Sequence, residues 1–216
     1  MPERPAVVDI AAGTGKLTRT LASLAGTLVA VEPDAALRAV LQRELPDVSV
    51  LEGTAEELPL QTGSAEVACA GQAFHWFDLE RALDEIARVL RPRGIAIAAW
   101  NSPPEDATWY DAVIDFLGTA SPDHLPATTR DWPTAFGGHP RFGGLLEIAA
   151  RHEQPVNRTS FQRLLRTHSA LNALPPDRRA ELIEQALAVA ETEGAFDVDG
   201  NGAIPWRCEL FVLRRT

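Results

Sequence analysis

Ala6-Val7-Val8-Asp9-Ile10-Ala11-Ala12-Gly13-Thr14-Gly15-Lys16-Leu17 is the stretch that decides how this sequence folds. The run Ala6 to Ile10, rich in β-branched residues, predicts a buried strand, and Gly13 and Gly15 predict a tight turn. From Lys16 to Ala25 the apolar residues Leu17, Leu21 and Leu24 recur at helical spacing. Strand, glycine turn and helix form the opening half of a parallel crossover unit, in which a backbone without bulky side chains and the helix N–H groups face a ligand.

Outward from this unit the alternation continues. Thr27 to Val31 reads as a second strand, followed by Glu32-Pro33-Asp34 and a helix carrying Leu37, Val40, Leu41 and Leu45, which Pro46 ends. Val48 to Leu51 and Val67 to Ala70 are the third and fourth strands, joined by a link with Pro59, Gly63 and Ser64. Asp78 is placed to cap the next helix, whose Leu79, Ala82, Leu83, Ile86, Val89 and Leu90 form an apolar stripe before Arg91-Pro92-Arg93-Gly94. Ile95 to Trp100 completes a five-stranded core. The expected class is therefore α/β, Rossmann-like and doubly wound, with a mostly parallel sheet.

Past Asn101 the pattern loosens: a helix from about Asp106 to Leu117, then a Pro-, Gly- and His-rich stretch to Gly144 without sustained periodicity. Helices follow at Ser160 to Ser169 and Pro176 to Glu193, the latter with Leu182, Ile183, Ala186, Leu187 and Ala190 on one face. Trp206 to Val212 reads as an antiparallel C-terminal strand closing the sheet edge. The division expected is residues 1–101 as a ligand-binding core, 102–159 as a variable cap, and 160–216 as the C-terminal helices and closing strand of the same domain.

Composition narrows the function. The 216 residues are 45% hydrophobic and 23% charged, as in soluble globular proteins, with a formal net charge of −10. That charge offers nothing to a phosphate backbone, so nucleic acid is not an expected partner. No apolar run approaches the roughly 20 residues that cross a bilayer, and the Met1-Pro2-Glu3-Arg4-Pro5 start has no signal-peptide order. Cys69 and Cys208 form neither a disulfide framework nor a zinc pattern, which suits a reducing cytoplasm. Lys16 is the only lysine, while Arg, Ala and Pro abound, pointing to a GC-rich bacterial gene. A homodimer is compatible with this sequence, which contains nothing that decides between one copy and two.

Glu32 sharpens the glycine turn. It ends the second strand 19 positions after Gly13, where a carboxylate can accept from both hydroxyls of a ribose. A phosphate loop would need Gly and Ser or Thr where Ile10 and Leu17 stand, so Lys16 is not a Walker lysine. A dinucleotide fingerprint calls for a third small residue at Thr18, which disfavours NAD.

With these residues in place the chain resembles the class I S-adenosylmethionine-dependent methyltransferases of type 11, the group with ubiquinone-biosynthesis and trans-aconitate methyltransferase-like enzymes. Val8 to Gly15 is similar to the family's first motif, Val31-Glu32-Pro33-Asp34 to its second, and Gly53 to Leu60 to its adenine-side loop. Gln72-Ala73-Phe74-His75-Trp76-Phe77 and Arg88 to Gly94 resemble the segments after strand four and before strand five. The resemblance implies S-adenosylmethionine as cofactor. It places the backbone around Ala11, Gly13 and Gly15 beside the methionine part and Glu32 at the ribose, with Asp9 and Pro33 also among the cofactor-binding residues. Thr54, Ala55 and Glu56 would edge the adenine, Leu58 would pack on its face, and Gln72 would lie near the transferable methyl group.

Methyl transfer from a sulfonium needs an aligned nucleophile and a dry site, and a hydroxyl acceptor gains from a neutral histidine. His75 is the candidate base; the alternative is a structural wedge formed with Trp76, which could also wall the acceptor site. Trp109 and Tyr110 fall in the region where this fold builds its substrate cap, and helix packing is their other reading. His124, His139, His152 and His168 lack metal-ligand grouping, and Glu105 and Asp106 read as solvated. Three departures stand out. Ala11 replaces a glycine, adding one methyl group; Thr54 replaces an acidic residue; and the first strand starts about five residues from Met1, where related enzymes have a helical segment that closes over the cofactor, so the expectation is that the true start lies upstream, that another part of the chain covers the site, or that the protein binds without efficient transfer. Ser102 to Gly144 could supply a substitute cap. The expected function is methylation of a small molecule at oxygen, nitrogen or carbon in bacterial primary or secondary metabolism. A protein of this fold that binds the cofactor without methyl transfer, as a cyclisation or rearrangement catalyst or a binding module, is the alternative.

Overall fold

The computed structural model describes residues 4–102, 108–120, 132–168, 171 and 174–216. Among them seven strands form one sheet in the order β3-β2-β1-β4-β5-β7-β6. The first five are β1 (Ala6–Ile10), β2 (Thr27–Val31), β3 (Ser49–Leu51), β4 (Ala65–Gly71) and β5 (Leu90–Ser102), all paired in parallel. Their register sets Asp9 beside Ala30 on one side and Cys69 on the other. The chain runs outward from β1 to β3 and then returns to place β4 on the other flank of β1. The carboxyl ends of β1 and β4 therefore make the switch point at which open sheets of this kind take ligands.

Helices α1 (Lys16–Ala22), α2 (Ala35–Glu44) and α3 (Leu79–Val89) are the crossovers. Asp34 caps α2 by accepting from the N–H groups of Ala36 and Leu37, and Asp78 caps α3 through Arg81. The apolar stripe of α3 lies where the spacing predicts, with Ala82, Leu83, Ile86 and Val89 buried. Helix α1 is shorter than expected. It ends at Ala22, and Leu24 stands 61% exposed, because the chain turns at Ser23 toward Gly26 before a third turn can carry Leu24 inward.

The remaining elements are α4 (Thr108–Ala120), α5 (Trp132–Gly137), β6 (Phe142–Asn157), α6 (Arg158–Leu165), α7 (Pro176–Thr192) and β7 (Asn201–Arg215). The antiparallel C-terminal strand is present, but β7 lies between β5 and β6 and does not close the sheet. The edge belongs to β6, which the sequence analysis does not foresee. Residues 146–155 are all exposed, so no alternation marks them, and Pro155 is a residue that edge strands tolerate. Glu105, Asp106 and His124 lie outside the described residues.

The chain divides into two compact units: residues 1–100, 129–149 and 209–216 in one, and 101–128 and 150–208 in the other. These units cut across the expected 102–159 and 160–216 segments, since β6 and β7 each continue from one unit into the other. The first unit packs Val8, Ile10, Phe74, Leu83, Ile86, Leu90, Phe136 and Phe211 into its core. The second packs α4, α6 and α7 through Val113, Leu117, Phe161, Leu182 and Leu187.

Candidate functional site

The strand-one turn is built by left-handed backbone. Ala11, Gly13 and Gly15 have φ of 53°, 57° and 86°. A Cβ on Gly13 would meet nothing within 4 Å, whereas one on Gly15 would press on Leu41 at 3.0 Å. Gly13 thus leaves open space above the backbone, and Gly15 lets α1 and α2 close together. Ala11 is more than an added methyl group: it holds a conformation that costs an L-residue about 1–2 kcal/mol.

Glu32 fixes this turn. Its carboxylate is 5% exposed; Oε2 accepts from the Gly13 N–H at 2.8 Å and Oε1 from the Asp34 N–H at 2.9 Å. A carboxylate has about four acceptor positions, so two remain after both backbone bonds. Arg38 supports the corner by donating to the carbonyls of Glu32 and Pro33 and pairing with Glu52.

Asp9 lies underneath. It is 1% exposed and accepts a 2.6 Å bond from the Thr18 hydroxyl at Oδ2, while Oδ1 has no hydrogen-bond partner among the described residues. Burial first, then the charge of Glu32, pushes its carboxyl up to about 7 against the Thr18 bond. Sequence reasoning treats Thr18 only as a departure from the dinucleotide fingerprint. Here it is the hydroxyl that holds Asp9.

The adenine-side loop is clamped by α3. Arg88 donates to the carbonyls of Leu58 and Leu60 and pairs with Glu85 at 2.6 Å, and Glu85 accepts from the Leu58 N–H. Glu56 accepts from the Asp78 N–H at 2.9 Å, so its carboxylate joins the loop to the start of α3. Pro33, Glu52, Gly53, Thr54, Glu57, Leu58 and Pro59 line a cleft of about 320 Å³. Thr54 is exposed at its rim, while Ala55 is buried in the core behind it. The Glu85–Arg88 clamp escaped the sequence reading, its only signal being opposite charges three apart on a helix.

After β4, Gln72 takes φ of 56° with its N–H on the Ala99 carbonyl, and a 3-10 turn spans Phe74–Trp76. Phe74 anchors that turn against Phe77, Trp100 and Phe136. His75 is half-buried, and burial holds its imidazole below the ordinary range, so it is neutral at pH 7. Trp76 stands beside it, 67% exposed.

The first unit therefore brings together Asp9, Ala11, Gly13, Gly15, Glu32 and Pro33 at the ends of β1 and β2, and His75 with Trp76 on one turn after β4. Trp109 and Tyr110 belong to the second unit. Tyr110 is 8% exposed among the rings of Trp109, Phe161 and Trp206, and burial pushes its hydroxyl up to about 12. It occupies the packing role set beside the substrate role in the sequence analysis. Among the described residues no three His, Cys, Asp or Glu side chains gather as metal ligands, and no helix is long and apolar enough to cross a membrane.

Residues 8–98 match the type 11 methyltransferase domain. An uncharacterized methyltransferase-like protein of Schizosaccharomyces pombe is 29% identical over 191 residues, covering 88% of this chain and 74% of its own length. An uncharacterized methyltransferase of Mycobacterium bovis is 42% identical over 112 residues, covering 52% of this chain; the chain spans 46% of that relative. The YcgJ protein of Bacillus subtilis shares the fold, with a TM-score of 0.62 at 20% identity over 99% of this chain and 93% of its own. Residues 8–98 are thus similar to the type 11 class of methyltransferase domain.

Proposed function

We propose that the chain is an S-adenosylmethionine-dependent methyltransferase acting on a small-molecule acceptor. The observation that carries this reading is the Glu32 carboxylate, buried at the end of β2, locked by the Gly13 and Asp34 N–H groups and left with two acceptor positions for a ribose. The residues fit the rest of the cofactor. Open space over Gly13 admits a chain against the Ala11–Gly15 backbone, with the uncompensated Asp9 suiting a cation, and Gln72 stands at the neighbouring strand end. The cleft at Pro33, Thr54, Leu58 and Pro59 offers a wall to a planar base, with Ala55 and Glu56 shaping the loop behind it.

When bound, S-adenosylmethionine supplies a methyl group on a positively charged sulfur, open to in-line displacement. The protein's own part is orientation, exclusion of water and proton acceptance. His75, neutral and fixed on a turn that Phe74 anchors, is suited to take the proton of an acceptor hydroxyl, and exposed Trp76 to present a flat apolar surface to the acceptor. The net charge of −10 favours a small acceptor over a nucleic acid.

Calorimetry with S-adenosylmethionine, S-adenosylhomocysteine and NAD tests the reading. The adenosyl sulfur compounds bind, NAD does not, and Glu32→Ala weakens adenosyl binding at least tenfold, as expected for lost bonds to a charged acceptor. Unchanged affinity in Glu32→Ala overturns the ribose role.

A further inference from the structure

Asp9 and Glu32 are two carboxylates buried at the same end of β1 and β2, and among the described residues no cationic side chain pairs with either. Helix α1 contributes the Thr18 hydroxyl, and its Lys16 is exposed with no ion pair to the site. Strand β2 sets Ala30 in register and is followed directly by Glu32; β4 sets Cys69 in register, its thiol pushed up to about 12 by burial and so uncharged. From α2, Arg38 spends its guanidinium on two carbonyls and Glu52. Among the described residues Oδ1 of Asp9 has no hydrogen-bond partner. A second negative charge is strongly disfavoured in this arrangement until a cation arrives, and burial with the Glu32 charge holds Asp9 up to about 7.

We propose that Asp9 carries a proton in the ligand-free protein and releases it when a cationic amino-acid nucleoside enters beside the Gly13 turn, so that cofactor binding and proton release are one linked event. The Asp9 O–H bond breaks, the proton passes to water or buffer base, and the ligand's positive charge balances the carboxylate left behind. A unit charge about 6 Å from a carboxyl group, at an effective dielectric of about 20, lowers its proton affinity roughly a hundredfold. Direct contact is therefore unnecessary, and Asp9 acts as a positioning residue through the field it shares with Glu32.

The inference rests on the cofactor reading above, and one experiment separates the two. S-adenosylmethionine and S-adenosylhomocysteine are titrated calorimetrically into the full chain at pH 7 and 8 in two buffers of different ionisation enthalpy. For S-adenosylmethionine the expected result is release of about half a proton per ligand at pH 7 and about a tenth at pH 8, with less release for S-adenosylhomocysteine, which lacks the sulfonium charge, and with weaker binding and no release in Asp9→Asn. Binding whose heat is independent of buffer overturns the proton linkage and leaves the cofactor reading intact. Release that persists in Asp9→Asn overturns the assignment to Asp9. No binding heat, with no displacement of a fluorescent adenosyl probe, overturns both. Should Asp9→Asn fail to fold, the fall in release from pH 7 to pH 8 in the unaltered protein decides, since a constant value contradicts the proposal.

Discussion

Replacing Asp9 by Asn should make the ligand-free protein more stable, by an amount that grows with pH. In the unfolded chain the carboxyl ionises near its ordinary value of 3.8, but in the fold burial and the Glu32 charge raise it to about 7. A raised folded-state value means that the contribution of this group is fully present below pH 4 and is lost as pH rises toward 7, because the unfolded chain sheds the proton first. With the group nine-tenths buried, a rise of about three units corresponds to about 4 kcal/mol against the fold at pH 8, and about 2 kcal/mol at pH 5. Asparagine keeps the shape and an acceptor for the Thr18 hydroxyl, and it cannot ionise. Its NH2 takes the place of the unpartnered oxygen at a penalty that does not vary with pH. The pH dependence of the difference is therefore the diagnostic quantity. Urea unfolding of both proteins at pH 5 and pH 8, analysed with a common slope, should show the advantage of Asn increasing by about 2 kcal/mol between the two. A gap that stays constant from pH 5 to pH 8 refutes the protonated, buried Asp9.

Two further outcomes follow from the same site. Ala11→Gly relieves the left-handed backbone of β1's turn, worth about 1–2 kcal/mol, and returns about 0.5–1 kcal/mol to the unfolded chain. The net gain of up to about 1 kcal/mol should raise the thermal midpoint, and a lowered midpoint contradicts the strain. His75, followed by NMR through its ring proton, should titrate below 6.5 because burial disfavours the imidazolium; a midpoint at or above that value removes the neutral-base role.

The parallel half of the sheet was legible because its strands and helices each have one environment. Strands buried on both faces read as continuous apolar runs, and α3 shows its stripe because one face alone meets the sheet. Strand β6 was hidden for the opposite reason. Leu146, Ile148 and the polar residues between and after them are alike exposed, so burial imposes no period of two on the sequence. Helix α5 is six residues long and opens with Trp132-Pro133, too short to display a period. The place of β7 inside the sheet was not readable, since a strand's own sequence says little about which neighbour comes after it in space.

The candidate site divides along a similar line. Gly13 and Glu32 were found because a ligand's shape fixes their spacing, whatever the rest of the chain does. Asp9 was found only as part of a motif, and what makes it unusual is relational: a hydroxyl nine residues later, a carboxylate just past the next strand, and, among the described residues, no cation paired with either carboxylate. Thr18 carries the clearest lesson. Judged by the size a dinucleotide turn permits, it is a defect; judged by what it touches, its hydroxyl gives the Asp9 carboxyl a 2.6 Å hydrogen bond. A valine at this position would preserve helix packing and remove the hydroxyl bond from a buried carboxyl, raising its proton affinity further. The identity of residue 18 thus controls the charge state of residue 9, and through it the strength with which the empty site attracts a cation.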